Sequence, residues 1–269
     1  VPIFYESRLA KVHFNEDEKV SLDEQFEELT EGEELSNRQQ MRQKWTRLEA
    51  IVGNPNRLQK IAEDLVYHFE QRNAVLDGKA MIVCMSRRIC VELYDAIIKI
   101  RPHWHSDDDD KGTLKVIMTG SSSDPLNMQP HIRNKPRRKA IGDRLKNPND
   151  PLKLVIVRDM WLTGFDAPCL HTLYVDKPMR GHNLMQAIAR VNRVFTEGKE
   201  GGLVVDYLGI AQELKTALAD YTASGGEGKP TLDQELAVAK MLELHEAIDY
   251  QLRHFDWRKF FTLTPEEKL

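Results

Sequence analysis

The protein has 269 residues, of which 41% are hydrophobic and 30% are charged, with a formal net charge of −4. This composition argues against a membrane-spanning or wholly disordered chain, and the net charge does not by itself indicate a nucleic-acid binder. The three cysteines form no Cys-x-x-Cys pair that would hold zinc, so we expect reduced structural thiols in a cytoplasmic protein. Because the chain starts at Val1 without a methionine or a signal peptide, we expect it to be part of a longer protein.

The first fifty residues differ in charge from the rest. Within 16–34 the chain has ten acidic residues and a single basic one, Lys19, which predicts a solvated surface segment. The pattern then changes to that of an amphipathic helix that ends near Arg72. Asn54 is suited to cap this helix, Pro55 fits its first position, and apolar residues recur at helical spacing.

From residue 79 onward, apolar runs alternate with helical patterns. The predicted strands lie at 80–85, 114–118, 154–157, 170–175 and 203–205. Helices are predicted from about Ile89 and around Arg138, Ile188 and Leu214. Nearly continuous apolar strands separated by helices predict an α/β fold, with a mostly parallel sheet covered on both faces. Ligands of such sheets bind beyond the carboxyl ends of the strands.

The stretch 186–193 carries a regular polar pattern, Gln-Ala-Ile-Ala-Arg-Val-Asn-Arg. On a helix, Gln186, Arg190 and Arg193 would project from one face. Two guanidiniums and an amide on one face form an array of hydrogen-bond donors suited to a polyphosphate. The alternative is an exposed helical face that makes surface ion pairs.

A second polar stretch, 159–168, follows the predicted strand at 154–157 and is expected in a loop at the carboxyl edge of the sheet. Gly164 permits close backbone approach, and Asp166 offers a carboxylate to a hydroxyl such as that of a ribose. The alternative is an ordinary turn with a capping aspartate. This loop and the helix at 186–193, with a strand between them, form a more specific pattern than either does alone.

These stretches resemble the second RecA-like domain of superfamily-two helicases and translocases. Residues 163–166 are similar to motif V of those proteins, 186–193 to motif VI and 80–88 to motif IV. More narrowly, Gly-Phe-Asp-Ala-Pro at 164–168 and Arg-Val-Asn-Arg at 190–193 resemble the motor subunit of type I restriction enzymes. Asn192 stands where other helicases of the superfamily have glycine, which is typical of the restriction group.

The resemblance implies a division of the chain. It indicates a RecA-like, three-layer domain of the P-loop NTPase type at 51–223. An interdomain connector with the acidic segment would precede it at 1–50, and a linker followed by a helical region would occupy 224–269.

The resemblance also implies roles for the polar residues. Arg193 would act as an arginine finger on the γ-phosphate of ATP, with Arg190 beside it and Gln186 near the nucleotide. Gly164 and Asp166 would couple the ribose to movement of DNA. ATP and Mg²⁺ would be bound mainly by a preceding motor domain, because this sequence has no Walker A loop.

In the family, the DNA backbone lies at the opposite rim of the sheet. The candidate DNA contacts are Ser86, Arg87, Thr119, Gly120, Ser121 and Thr163. The implied partners are double-stranded DNA, methyltransferase and specificity subunits, and the preceding motor and nuclease domains of the same chain, with no membrane. The whole subunit would be an ATP-dependent type I deoxyribonuclease, and we expect this chain alone to be inactive.

Three further points complete the predictions. The basic stretch 133–146 is either a solvated helix face or a group of phosphate contacts. His103 and His105 precede an acidic run without a second ligand cluster, so we predict no metal site. A docking module for DNA or protein, which requires neither Arg190 nor Arg193, and the motor half of another superfamily-two helicase remain as alternatives.

Overall fold

Six strands form a single sheet in which every neighbouring pair is parallel. The computed structural model describes residues 3–8, 38–121, 124–193, 195 and 201–223, excepting the side chains of 38–44 and 219–223. The strands are β1 (Ile3–Ser7), β2 (Lys79–Cys84), β3 (Leu114–Ile117), β4 (Leu154–Val157), β5 (Leu170–Asp176) and β6 (Gly202–Asp206). Their order across the sheet is β1-β6-β5-β2-β4-β3. The predicted α/β class with a parallel sheet is confirmed.

Helices flank and connect these strands. Within the described residues they are α1 (Arg38–Val52), α2 (Pro55–Val75), α3 (Arg87–Ile100), α4 (Lys135–Lys146), α5 (Gly181–Val191) and α6 (Ala211–Ala223). Short 3-10 helices occupy Pro102–Trp104 and Leu126–His131. Helix α4 connects β3 to β4, and α5 lies between β5 and β6, whereas the segment between β4 and β5 contains no helix.

The core is built on the two faces of the sheet. Every residue of β2, β3, β4, β5 and β6 is buried. Because successive side chains of a strand point to opposite faces, both faces of the sheet must be covered. Strand β2 pairs with β5 on one side and with β4 on the other. Val83 of β2 lies opposite Val175 of β5 and opposite Val157 of β4. The sheet is therefore a fixed platform, and the polar loops at its edges can carry function.

Helix α2 begins as the sequence predicts. The Asn54 side chain accepts hydrogen bonds from the backbone N–H groups of Asn56 (2.9 Å) and Arg57 (3.4 Å), and Pro55 occupies the first turn. The predicted apolar face is buried; its residues are Leu58, Ile61, Leu65 and Phe69. A capping asparagine of this kind typically contributes about 1 kcal/mol.

Strand β1 was not predicted from the sequence. Its residues pair in parallel with β6, from Ile3 opposite Gly202 to Ser7 opposite Asp206. A group of buried or nearly buried charged side chains and one tyrosine ties this side of the sheet to α2. We call it the buried polar network, and its members are Arg8, Arg57, Asp64, Asp176 and Tyr207.

Several predictions concern residues outside the described ranges. These are the acidic segment at 16–34 and the linker and helical region at 224–269. The proposed division of the chain into three segments therefore stays a prediction. The three cysteines do lie within the described residues, where they are buried and form no disulfide.

Candidate functional site

Helix α5 ends before Arg193, whereas the sequence pattern predicts a helix that includes it. Asn192 leaves the helical conformation (φ −86°, ψ 59°) while its N–H still donates to Ile188 O at 3.0 Å. The Arg193 N–H then donates to Val191 O (3.0 Å). The prediction that three polar side chains share one helical face is therefore wrong for Arg193, because the cap at Asn192 turns the chain out of the helix. Gln186 and Arg190 are on the helix, one turn apart.

Both arginines nevertheless meet the same loop. Arg190 donates through Nη1 to the carbonyl oxygen of Phe165 at 2.7 Å, and through Nε to Gln186 O at 3.2 Å. Arg193 Nη1 lies 2.7 Å from Asp166 Oδ1 in an ion pair whose side chains are 44% and 54% exposed. The structure thus brings Arg190 and Arg193 to the predicted nucleotide loop at Gly164–Asp166. The Gln186 amide instead contacts His182, one turn earlier on α5.

Gly164 is required by its backbone conformation. Its φ is +68°, a left-handed value that residues other than glycine rarely adopt. A Cβ built on Gly164 would meet no atom within 4 Å. The left-handed turn itself therefore favours glycine at this position, and the close backbone approach expected of Gly164 stays a prediction.

The path of the connection between β4 and β5, residues 158–169, corrects the expected position of this loop. Both strands are parallel to β2, so the connection leaves the carboxyl edge of the sheet and returns to the amino edge, where β5 starts. Phe165 lies beside the end of α4, which runs to that same edge, and Lys146 Nζ is 5.2 Å from the centre of its ring. Gly164 to Asp166 therefore lie toward the amino edge rather than at the carboxyl edge.

The candidate DNA contacts after β2 and β3 lie at the carboxyl edge. Ser86 caps α3, since its Oγ accepts a hydrogen bond from Ile89 N at 3.3 Å. Thr119, Gly120 and Ser121 are exposed. Thr163 is also exposed, but it belongs to the 158–169 connection.

Arg87 is held by an aspartate that the sequence analysis did not single out. Its two terminal nitrogens lie 2.6 and 2.7 Å from the two carboxylate oxygens of Asp124, and Nη1 also donates to Thr119 O. The same carboxylate accepts from Ser121 N at 2.6 Å. This pairing raises the pKa of Arg87 and lowers the pKa of Asp124. The Asp-Pro pair at 124–125 was the available sequence signal, because aspartate before proline often starts a turn.

Much of the basic stretch at 133–146 is structural. Arg133 is buried and donates to Asp109 Oδ1 (2.5 Å), while the more exposed Arg137 donates to Asp109 Oδ2 (2.6 Å). Burial acts to raise the pKa of Asp109, but these two arginines outweigh it and leave that pKa lowered. Arg144 is also buried and pairs with Asp150. The acidic run near His105 thus binds arginines of its own chain.

The described part of the chain offers evidence on metal binding and on membrane insertion. No group of three or more histidine, cysteine, aspartate or glutamate side chains there is arranged to hold a metal ion. None of the helices there combines the length and apolarity needed to cross a membrane. Toward the amino edge, the guanidiniums of Arg190 and Arg193 both contact the loop that contains Asp166.

Comparison with known proteins supports a single family. A family profile described as "Type I restriction enzyme subunit R domain 3" matches residues 126–209, which include the loop and both arginines. The type I restriction enzyme HindI endonuclease subunit of Haemophilus influenzae is 49% identical over 250 residues, covering 92% of this chain and 23% of that protein. A candidate type I restriction enzyme endonuclease subunit of Methanocaldococcus jannaschii, MjaIXP, is 37% identical over 99% of this chain and 25% of that protein.

Among solved structures, a fragment of a candidate HsdR subunit of a type I restriction enzyme from Vibrio vulnificus YJ016 is similar over 87% of this chain and 36% of that chain. Its TM-score is 0.49 at 11% identity. The chain spans about a quarter of the length of the curated relatives. On the sequence matches, the chain belongs to the family of type I restriction enzyme endonuclease (R) subunits.

Proposed function

We propose that this chain forms the second motor domain of a type I restriction R subunit, which hydrolyses ATP to move double-stranded DNA before cleaving it. The observation that carries the proposal is the meeting of Arg190 and Arg193 with one loop, Gly164–Asp166, near the amino edge of the sheet. In this arrangement the guanidinium of Arg193 and the carboxylate of Asp166 would face a ligand, and Arg190 would hold the loop beside them. ATP and Mg²⁺ would be held mainly by a preceding motor domain of the longer protein.

Arg193 has the properties of an arginine finger. During phosphoryl transfer, negative charge spreads over the phosphoryl oxygens, and a positioned guanidinium stabilises that charge. The side chain is 44% exposed and forms an ion pair with Asp166. An exposed ion pair contributes only about 0–1 kcal/mol to stability. Exchange of the carboxylate for a phosphate therefore costs little free energy.

Arg190 and Asp166 have complementary roles in this proposal. Arg190 remains bound to the Phe165 carbonyl and holds the loop against α5. When Arg193 moves to a phosphate, the carboxylate of Asp166 is released and can accept a hydrogen bond from a ribose hydroxyl. Gln186, on the same helix as Arg190, orients near the nucleotide.

DNA would lie at the other edge of the sheet. Arg87 and the exposed Thr119, Gly120 and Ser121 follow the carboxyl ends of β2 and β3, and Ser86 begins α3 beside them. Such groups contact backbone phosphates, which position DNA without selecting a sequence. Target recognition and cutting are accordingly assigned to methyltransferase and specificity subunits and to a nuclease domain elsewhere in the longer protein.

Replacement of Arg193 by alanine in the full-length subunit, within its assembled complex, tests the proposal. We expect DNA-stimulated ATP hydrolysis to fall by about 10³- to 10⁵-fold, since this is the usual contribution of an arginine finger. Arg101→Ala is the matched control: it too follows a helix and pairs with one carboxylate, Glu70, at 2.7 Å, and it should leave the rate unchanged. If Arg193→Ala hydrolyses ATP at nearly the normal rate, the motor proposal fails and a docking module becomes the better hypothesis.

A further inference from the structure

Trp161 has an unusual backbone conformation for its residue type. Its φ is +67°, and it is the one residue other than glycine with positive φ among those the structure describes. A bulky side chain in the left-handed region costs free energy, so the surrounding structure must hold it there. Such conformations cluster at functional sites, and this one lies in the same connection as Gly164 and Asp166.

The Trp161 ring is stacked on Phe165. The ring centroids are 4.4 Å apart and the planes differ by only 9°. Both rings pack closely on helix α4 at Gly142. A Cβ built on Gly142 would lie 3.2 Å from Phe165 Cε2 and 3.4 Å from Trp161 Cζ2. Lys146 adds its ammonium group over the Phe165 ring. The stack is therefore fixed between the connection and the helix, and the missing side chain at Gly142 lets it sit there.

Phe165 links this stack to the arginines. Its backbone carbonyl accepts the hydrogen bond from Arg190 Nη1, and the next residue, Asp166, pairs with Arg193. A shift of the Phe165 ring would thus move both groups that hold the arginines. An error of about 1 Å in the placement of a catalytic group can lower a rate about 100-fold.

We infer that Trp161, which packs on Gly142 of α4, is a positioning residue. Through its stack on Phe165 it fixes the positions of the Arg190 and Arg193 guanidiniums. The inference rests on the proposed function of Arg193. In this role Trp161 contacts neither ATP nor DNA. Its removal should therefore lower the turnover number for ATP hydrolysis, kcat, while leaving KM for ATP nearly unchanged.

Two replacements of Trp161 in the full-length subunit, in its complex, test the stack. Trp161→Phe keeps a flat ring over Phe165, and we expect kcat within about three-fold of the normal value. Trp161→Leu keeps apolar bulk but no ring, and we expect kcat to fall by roughly 10- to 100-fold. Trp104→Leu is the matched control, because Trp104 is a buried tryptophan of the 3-10 helix Pro102–Trp104, outside the connection, with its own aromatic neighbour, Phe69. Its folded fraction should keep the normal kcat.

Gly142→Ala separates positioning from stability. Alanine is a better helix former than glycine, but its methyl group would crowd both rings, so a purely structural role of Gly142 predicts a change in thermal stability with unchanged kcat. The positioning role predicts a several-fold fall in kcat of the folded protein, whichever way the thermal stability changes. An unchanged kcat in the folded protein would overturn the inference.

The outcomes distinguish this inference from the function on which it rests. If Arg193→Ala abolishes hydrolysis but Trp161→Leu stays folded with normal kcat, the positioning role is wrong and the proposed function stands. If Trp104→Leu lowers kcat as much as Trp161→Leu does, the positioning role is again overturned. If Arg193→Ala hydrolyses ATP at nearly the normal rate, both the positioning role of Trp161 and the proposed function are overturned. The expected pattern, with Trp161→Phe active and Trp161→Leu impaired in kcat alone, supports both.

Discussion

Two sets of arginines in this protein differ in their surroundings. In the buried polar network, the Arg57 side chain is 3% exposed and donates to Asp176, to Val52 O and to Tyr207 O. Arg8 is 5% exposed and donates to Asp64 through two nitrogens. At the loop, Arg193 is 44% exposed and its ion pair is with one exposed carboxylate, that of Asp166.

The difference separates structural arginines from available ones. A buried guanidinium bound to a buried carboxylate and to carbonyls cannot change partners without leaving charges unpaired in a region that excludes water. A half-exposed guanidinium loses little when it exchanges one anion for another. Arg57 is therefore part of the fold, whereas Arg193 can exchange its partner at little cost in free energy, as the proposed function requires.

The largest effect on stability should follow loss of Arg57. We expect Arg57→Ala to lower the free energy of unfolding by about 3–5 kcal/mol, because Asp176, 1% exposed, would be left as an unpaired buried charge. We expect Arg193→Ala to change it by no more than about 0.5 kcal/mol. Urea unfolding of the two variants beside the unchanged protein measures both values.

A matched variant keeps this comparison sharp. Arg57→Ala combined with Asp176→Asn removes both charges and should recover part of the lost stability, since no unpaired charge remains. Equal stability losses for Arg57→Ala and Arg193→Ala would contradict the distinction between the two sets.

A smaller effect is expected from a buried histidine outside the network. Burial, followed by the nearby charges of Arg133, His105 and Lys115, lowers the pKa of His131 to about 4. In the unfolded chain this histidine titrates near 6.5, so between pH 6.5 and 4 the unfolded state binds more protons. The stabilisation is fully present above pH 6.5 and is lost as the pH falls toward 4, by roughly 3 kcal/mol in total.

The measurement is the free energy of unfolding across that pH range, for the unchanged protein and for His131→Phe. Phenylalanine keeps a ring against Tyr94, whose ring centre is 4.7 Å from that of His131, but it cannot take up a proton. The difference between the two proteins should shrink or reverse in favour of the variant as the pH falls. Parallel curves from pH 7 to pH 4.5 would show that His131 is accessible to protons in the folded state.

Local signals in the sequence predicted much of the fold. The asparagine cap of α2 and the bounds of β4, Leu154–Val157, follow from neighbouring residues and are seen as predicted. Strand β1 was missed because its partner β6 is far along the chain and its residues are only partly buried. Pairing between segments so distant leaves no periodic pattern in either.

At the candidate site too, local sequence patterns predicted some features and missed those that depend on distant residues. Motif spacing identified Arg190, Arg193, Gly164 and Asp166, and the structure brings these residues together. Spacing alone extended the helix through Arg193, because nothing in an even pattern marks the turn at Asn192. The partnership of Arg87 with Asp124 and the stack of Trp161 on Phe165 depend on tertiary packing, which spacing does not encode.

The central claim is that the guanidinium of Arg193 acts on a phosphoryl group. The most direct test is DNA-stimulated ATP hydrolysis by the assembled complex carrying Arg193→Lys, with thermal unfolding as the control for folding. Lysine keeps the charge but lacks the planar fork that spans two oxygens, so we predict a rate at least about 100-fold below normal with unchanged unfolding. A rate within a few-fold of normal would contradict the account, because Arg193 would then supply only a surface charge.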